Sequence, residues 1–312
     1  MSSIQTRGLT KQFGDLVAVS DLDLTVPEGE VFGFLGPNGA GKSTTINLIL
    51  DFIRPTAGTV EVLGIDAQKH PEAVRERVGV LPEGYGFEDS LTGREHVAWA
   101  IETKSAADDP DALLSQVGLS ADAERLASSY SKGMQQRLAF AMALAGDPEV
   151  LILDEPSSGL DPNGMQDMRE LIRERAEAGT TVFFSSHILS EVEAICDRVG
   201  VMNDGELVAV DTIDGLRETT GGQATIELTC ATSPTTLGVE TIEGVAAVSV
   251  EENTLVATCT NPSVKVDVVS HVAAQAEVRD ILSDTVSLES LFNELTGNRH
   301  ERGEIATQEA SS

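Results

Sequence analysis

A lysine followed by serine or threonine at the end of a glycine-rich run is a phosphate-handling combination. Residues 36–44 supply it as Gly36, Pro37, Asn38, Gly39, Ala40, Gly41, Lys42, Ser43 and Thr44. The run 31–35 before them is apolar, as in a buried strand, and 45–52 after them reads as a helix. A glycine-rich loop between a strand and a helix start aims several backbone N–H groups into one concavity, with the positive end of the helix dipole behind them. That concavity suits a polyphosphate. Lys42 has the reach for β- and γ-phosphates, and the Ser43 hydroxyl suits a Mg²⁺ shell.

A second set of reactive side chains lies far along the chain. Residues 150–153 form a short, wholly apolar run, typical of a strand covered on both faces in a parallel sheet, and they end in Asp154 and Glu155. Open α/β sheets bind ligands at the carboxyl ends of their strands. There Asp154 is expected to hold Mg²⁺ through water, and Glu155 to polarise the water that attacks a γ-phosphate. A further strand, 180–185, ends at Ser186 and His187 on the same edge. A lone histidine is more often structural, but this position favours a γ-phosphate contact. Phe13, in KQFGD, reads equally as a core residue or as a flat surface for an adenine ring. Ser131, Lys132 and Gly133 open a helix over 134–145 whose N-terminus can face an anion.

The elements that must position these residues follow from the pattern. Antiparallel strands are expected at 4–8 and 18–26, short strands at 59–63 and 78–81, a helix at 71–77 and another at 165–178. Residues 88–130 read as a helical insert, and 199–210 as a hairpin turning at Asp204 and Gly205. The first domain is expected to end near residue 220, at a glycine pair. Beyond it, strands at 224–230, 245–250 and 255–259, helices at 263–274 and 287–295, and a polar, disordered 298–312 tail describe a small α+β domain over 221–297.

GPNGAGKST, YSKGMQQR, LILDEP, SSGLDP and SSH occur in the order found in the nucleotide-binding subunits of ABC transporters, which residues 1 to about 215 resemble. The resemblance implies a P-loop NTPase fold, with a RecA-like core, an antiparallel β subdomain and a helical insert. It also implies a dimer that closes head to tail over two ATP molecules. By this resemblance Ser131 and Gly133 act in trans, Glu155 is the general base, His187 holds the γ-phosphate and water in line, Phe13 is the adenine platform, and Asp161 joins the two sites. A separate membrane permease is the implied partner, placing the ATPase on the cytoplasmic face of the membrane. Two departures stand out. Lys132 and Met134 replace the commoner glycine and glutamine of the signature, and Glu83 stands where many relatives have a glutamine near the metal. YSKGM, LPEG and the ending VSLESLFNELTG resemble subunits of drug, sodium and polysaccharide exporters. The competing reading, a soluble ABC ATPase acting on ribosomes or DNA, usually brings two modules or a long coiled coil. Here one module is present, without sustained heptads between Lys42 and Asp154.

Composition bears on the same choice. In 312 residues there are 51 acidic against 21 basic side chains, a formal charge of −30, which disfavours nucleic acid and anionic membranes as direct partners. The three cysteines, Cys196, Cys230 and Cys259, show no metal or redox spacing and read as small core residues in a reducing compartment. No run is long and apolar enough to predict a signal peptide or membrane span. Dispersed carboxylates with only six lysines suggest a halophilic source, because molar salt screens self-repulsion within about 3 Å. Unfolding measured against KCl is therefore expected to show stability rising with salt; a flat curve would contradict this reading.

Overall fold

The computed structural model describes residues 2–219, 224–234, 237–261, 263–284 and 292. The glycine pair of the expected linker, the tail, and the closing helix expected at 287–295, residue 292 apart, lie outside them. The chain divides into two compact units, one ending at Val210 and the other beginning at Asp211. The boundary expected near residue 220 thus falls inside the second unit. Glycines mark where backbone can bend, not where contacts stop.

Three strands open the first unit: β1 (Ser2–Phe13), β2 (Leu16–Pro27) and β3 (Val31–Leu35). Next come α1 (Lys42–Ile49), β4 (Ala57–Val62), β5 (Ile65–Asp66), α2 (Pro71–Arg77) and β6 (Val78–Leu81). The helical stretch holds α3 (Gly93–Thr103), α4 (Pro110–Gln116) and α5 (Lys132–Ala143). Then follow β7 (Val150–Asp154), α6 (Pro162–Glu177), β8 (Thr181–Ser186), α7 (Leu189–Ile195), β9 (Arg198–Asn203) and β10 (Glu206–Thr212), in the last of which the division between the units falls. β1 and β2 are longer than their apolar alternation predicts. They run antiparallel in a four-stranded sheet ordered β2-β1-β4-β5.

The second sheet is ordered β10-β9-β3-β8-β7-β6, with the pairings among β6, β7, β8, β3 and β9 all parallel. β3, β7 and β8 are buried at every residue, which explains why VFGFL, VLILD and TVFFSS carry almost no polar alternation. Phe183 packs between Phe32, 5.9 Å away centre to centre, and Phe34, 5.2 Å away. Close approach sets the helix layer as well: a Cβ on Gly33 would stand 2.7 Å from the Cys196 sulfur. Burial, with Asp197 and Glu191 nearby, pushes that thiol's pKa well up, so Cys196 is an inert packing group.

The second unit comprises α8 (Ile213–Thr219), β11 (Ala224–Cys230), β12 (Val245–Glu251), β13 (Thr254–Cys259), α9 (Val264–Ala273) and β14 (Val278–Asp284). Its antiparallel sheet has the order β12-β13-β11-β14. Ile226, Leu228, Leu255 and Ala257 pack with Val268 and Val272 of α9 in a separate core.

Phe183→Ala is expected to lower stability by about 3–5 kcal/mol, as burial and a residual cavity dictate. Phe52→Ala, at a residue 55% exposed, should change it by less than about 0.5 kcal/mol. Urea unfolding midpoints measure both.

Candidate active site

The reactive side chains stand where buried parallel strands end. Leu35 pairs with Ser186 across β3 and β8, and Asp154 with Ser185 across β7 and β8, so the three ends are level. The Gly36 N–H donates to the Ser186 carbonyl at 3.3 Å, fastening the loop after β3 to the end of β8. Within that loop Gly41 has φ +106°, and a Cβ there would lie 2.5 Å from the Ala18 carbonyl oxygen. No other residue fits. The loop is pinned a second time by the Gly205 N–H, which donates to the Ala40 carbonyl at 3.0 Å.

Lys42 begins α1 with its ammonium group buried. It donates to the carbonyls of Gly36 at 2.8 Å and Pro37 at 3.3 Å, and lies 3.3 Å from Glu155 Oε1. The other carboxylate oxygen, Oε2, meets His187 Nδ1 at 2.8 Å. Cation, carboxylate and imidazole therefore form one continuous chain across the ends of β3, β7 and β8. Glu155 takes φ +50°, a left-handed conformation that costs a non-glycine residue about 1 kcal/mol. Its N–H donates to both the carbonyl, at 3.2 Å, and the hydroxyl, at 3.1 Å, of Ser185. The Ser185 hydroxyl donates in turn to Asp154 Oδ1. One residue on, Ser186 Oγ donates to Glu191 Oε2 and accepts from the Ile188 N–H, each at 2.9 Å, which holds the turn bearing His187.

A cleft of about 620 Å³ opens at this edge. Of the loop, Asn38, Gly39, Gly41, Lys42, Ser43 and Thr44 line it, and Phe13, Glu83 and Glu155 join them. Gly36, Pro37 and Ala40 serve the loop's internal bonds instead. Phe13 is half exposed, with the Lys11 ammonium 4.8 Å from its ring, so it is not a core residue. Asp154 is buried and joined to the group through Ser185. Ser131 and Gly133 do not line this cleft. They start α5, where Ser131 Oγ accepts the Met134 N–H at 3.3 Å as the helix cap. Asp161 likewise caps α6 through the Gly164 N–H at 2.8 Å. Sequence reasoning passed over Leu16, Val17, Asp204 and Gly205 as cleft residues, and Ser185 and Glu191 as their supports. Only Asp204 and Gly205 carried a signal, as a turn.

A phosphate loop with a buried lysine, next to a carboxylate and an imidazole at the carboxyl edge of a parallel sheet, defines a nucleoside triphosphatase. The ABC transporter family model matches residues 19–158. The bacitracin transport ATP-binding protein BcrA of Bacillus licheniformis is 42% identical over 221 residues, 69% of this chain and 71% of its own length. The daunorubicin/doxorubicin resistance ATP-binding protein DrrA of Streptomyces peucetius is 37% identical over 228 residues, 70% of this chain and 68% of its own. Among solved structures, the dimeric ATP-binding cassette MJ0796, in a post-hydrolysis state bound to ADP and Pi, superposes with a TM-score of 0.62. It is 25% identical and covers 67% of this chain and 98% of its own. The chain belongs to the ABC transporter family: it is an ATP-binding subunit, and an ATPase.

Proposed function

We propose that two copies of this chain, or this chain and a homologue, close over two ATP molecules and drive export through a separate permease. The continuous Lys42–Glu155–His187 contact at the phosphate loop carries this reading. In it, N–H groups of the loop residues that line the cleft, Asn38, Gly39, Gly41, Lys42, Ser43 and Thr44, cradle the phosphates, and Lys42 neutralises the β- and γ-phosphates. Glu155 accepts the proton of the attacking water, and His187 orients that carboxylate and the γ-phosphate. Phe13 stacks on the adenine. Positioning and charge neutralisation are the main catalytic effects in phosphoryl transfer.

The oxygen donors at this edge suit Mg²⁺, a hard ion that is commonly held by one or two carboxylates together with phosphate oxygens. Ser43 and Asp154 would hold it, with Glu83 lining the same cleft. Once bound, the ion would neutralise charge on the β- and γ-phosphates. Ser131 and Gly133 lie outside the chain's own cleft, which supports their use in trans, and the dimeric state of MJ0796 supports the pairing. Lys132 and Met134 leave Ser131 and the Gly133 backbone as the contact groups.

For the permease, a groove of about 460 Å³ lies between α2, β6, α3 and α5. Tyr85, Trp99, Val80 and Met142 give it an apolar floor, and Glu72, Arg75 and Lys104 give it charge. Trp99 is 55% exposed, an anchor suited to a cytoplasmic helix of a membrane partner. Through that contact the ATPase sits at the cytoplasmic face of the membrane, although no helix among the described residues is long and apolar enough to cross it. Export is favoured over other directions by the resistance role in DrrA's name. The second unit is an accessory, regulatory domain, and the acidic surface belongs to a halophile's protein. A ribosome- or DNA-directed ATPase fits that surface poorly.

Glu155→Gln is expected to keep ATP binding, lose most turnover and accumulate an ATP-bound dimer on size-exclusion chromatography; normal hydrolysis by this variant removes Glu155 from the role of base. Lys42→Ala is expected to weaken ATP binding in a nucleotide titration. Unchanged affinity contradicts the phosphate contact.

A further inference from the structure

We propose that Ser185 is a positioning residue for hydrolysis: a single hydroxyl that locks Asp154 and Glu155 in their working orientations. The proposal rests on the roles given above to those two acids and adds the group that holds them. β8 places Ser185 beside Asp154 in the parallel register, wholly buried. A serine hydroxyl has one proton to donate and lone pairs to accept with. Here both functions are used on the same dipeptide. The proton goes to Asp154 Oδ1, and the oxygen accepts the Glu155 N–H at 3.1 Å.

Each bond answers a specific need. Asp154 has two equivalent oxygens and a rotatable carboxyl group. Committing Oδ1 to Ser185 stops that rotation and leaves Oδ2 to accept from a metal-bound water. Glu155 has the opposite difficulty, since its backbone is in the left-handed region at φ +50° and relaxes unless the surroundings hold it. The Ser185 carbonyl, at 3.2 Å from the Glu155 nitrogen, shares the N–H with the hydroxyl, so the peptide is gripped by two acceptors of one residue. Were the peptide to relax, the carboxylate would leave both Lys42 and His187. A buried alanine or valine at 185 keeps the carbonyl and the strand but supplies neither the donor nor the second acceptor.

Among the described residues Ser185 makes no hydrogen bond to Lys42 or the loop, so nucleotide affinity and turnover should separate on substitution. The decisive comparison is Ser185→Thr against Ser185→Val, two β-branched side chains of nearly the same shape that differ in the hydroxyl. In the full-length chain with its permease, in the salt that supports activity, Ser185→Val and Ser185→Ala are expected to bind ATP within about twofold of wild type. They should lose roughly 10- to 100-fold in kcat, the size expected of a hydrogen bond to a charged group. Ser185→Thr should recover most of that loss, and the Mg²⁺ concentration for half-maximal rate should rise in the valine variant and not in the threonine one. Thermal melts of all three show whether they are folded. Equal kcat in the threonine and valine variants, or wild-type turnover in the alanine variant, overturns the proposal. Glu155→Gln assayed alongside separates the two levels. Ordinary turnover there removes the base, whereas the Ser185 assignment stands or falls on the hydroxyl comparison.

Discussion

The parallel hydrogen-bond register of β3, β8 and β7 is the constraint on which the site depends. The pairings of Leu35 with Ser186 and of Asp154 with Ser185 set the strand ends level, so the loop after β3, the acid pair at the end of β7 and the histidine after β8 emerge on one edge. A slip of one residue in β8 would turn its side chains to the opposite face. Ser185 would then lose Asp154, and His187 would leave Glu155. The large, fully buried side chains Phe32, Phe34 and Phe183 make such a slip expensive, because every one would have to repack. Core packing thus holds the register, and the register holds the chemistry.

Lys42 is multiply satisfied where it is buried, whereas Glu155 Oε1 makes no hydrogen bond and has only the Lys42 ammonium group beside it at 3.3 Å. The ammonium group reaches two loop carbonyls as well as the carboxylate, and the carboxylate also reaches His187. In a low-dielectric setting a buried pair of this kind gains Coulomb energy but is costly to desolvate, and it contributes little net stability. Its value lies in direction. Glu155 is fixed between a cation and an imidazole at the mouth of a loop built to receive phosphate, and the strained backbone beneath it is held by Ser185. Strain of this type persists where the surrounding structure over-determines the conformation.

Much of this was legible in the chain itself. The short apolar runs at 31–35 and 150–153 announce central strands, since a strand covered on both faces has no polar side to show. The nine residues from Gly36 to Thr44 announce their own conformation, because only glycine tolerates the backbone at Gly41. The helix start at Ser131 carries a capping side chain, whereas α6 begins at Pro162 behind the Asp161 cap, ahead of the helix expected at 165–178. Elsewhere local pattern was a poor guide. β14 went unread because Arg279, Asp280, Ile281 and Leu282 form an exposed edge whose alternation is not one of apolar and polar. The division at Val210 and Asp211 precedes the glycine pair expected to mark it, because contacts set where a unit ends.

The amino-acid sequence by itself determined the kind of chemistry: a glycine loop ending in lysine and serine, an acid pair behind an apolar strand, a histidine closing another, and an excess of carboxylates over the whole chain. It could do so because each of these is a local pattern whose spacing carries the meaning. The tertiary structure alone decided which groups act on one another. Ser185 and Asp154, 31 residues apart, meet through strand pairing, and nothing in FFSS distinguishes the serine that grips the acids from the serine that holds the turn. Such contacts depend on register and on the facing of neighbouring strands, and these exist only once the sheet has formed.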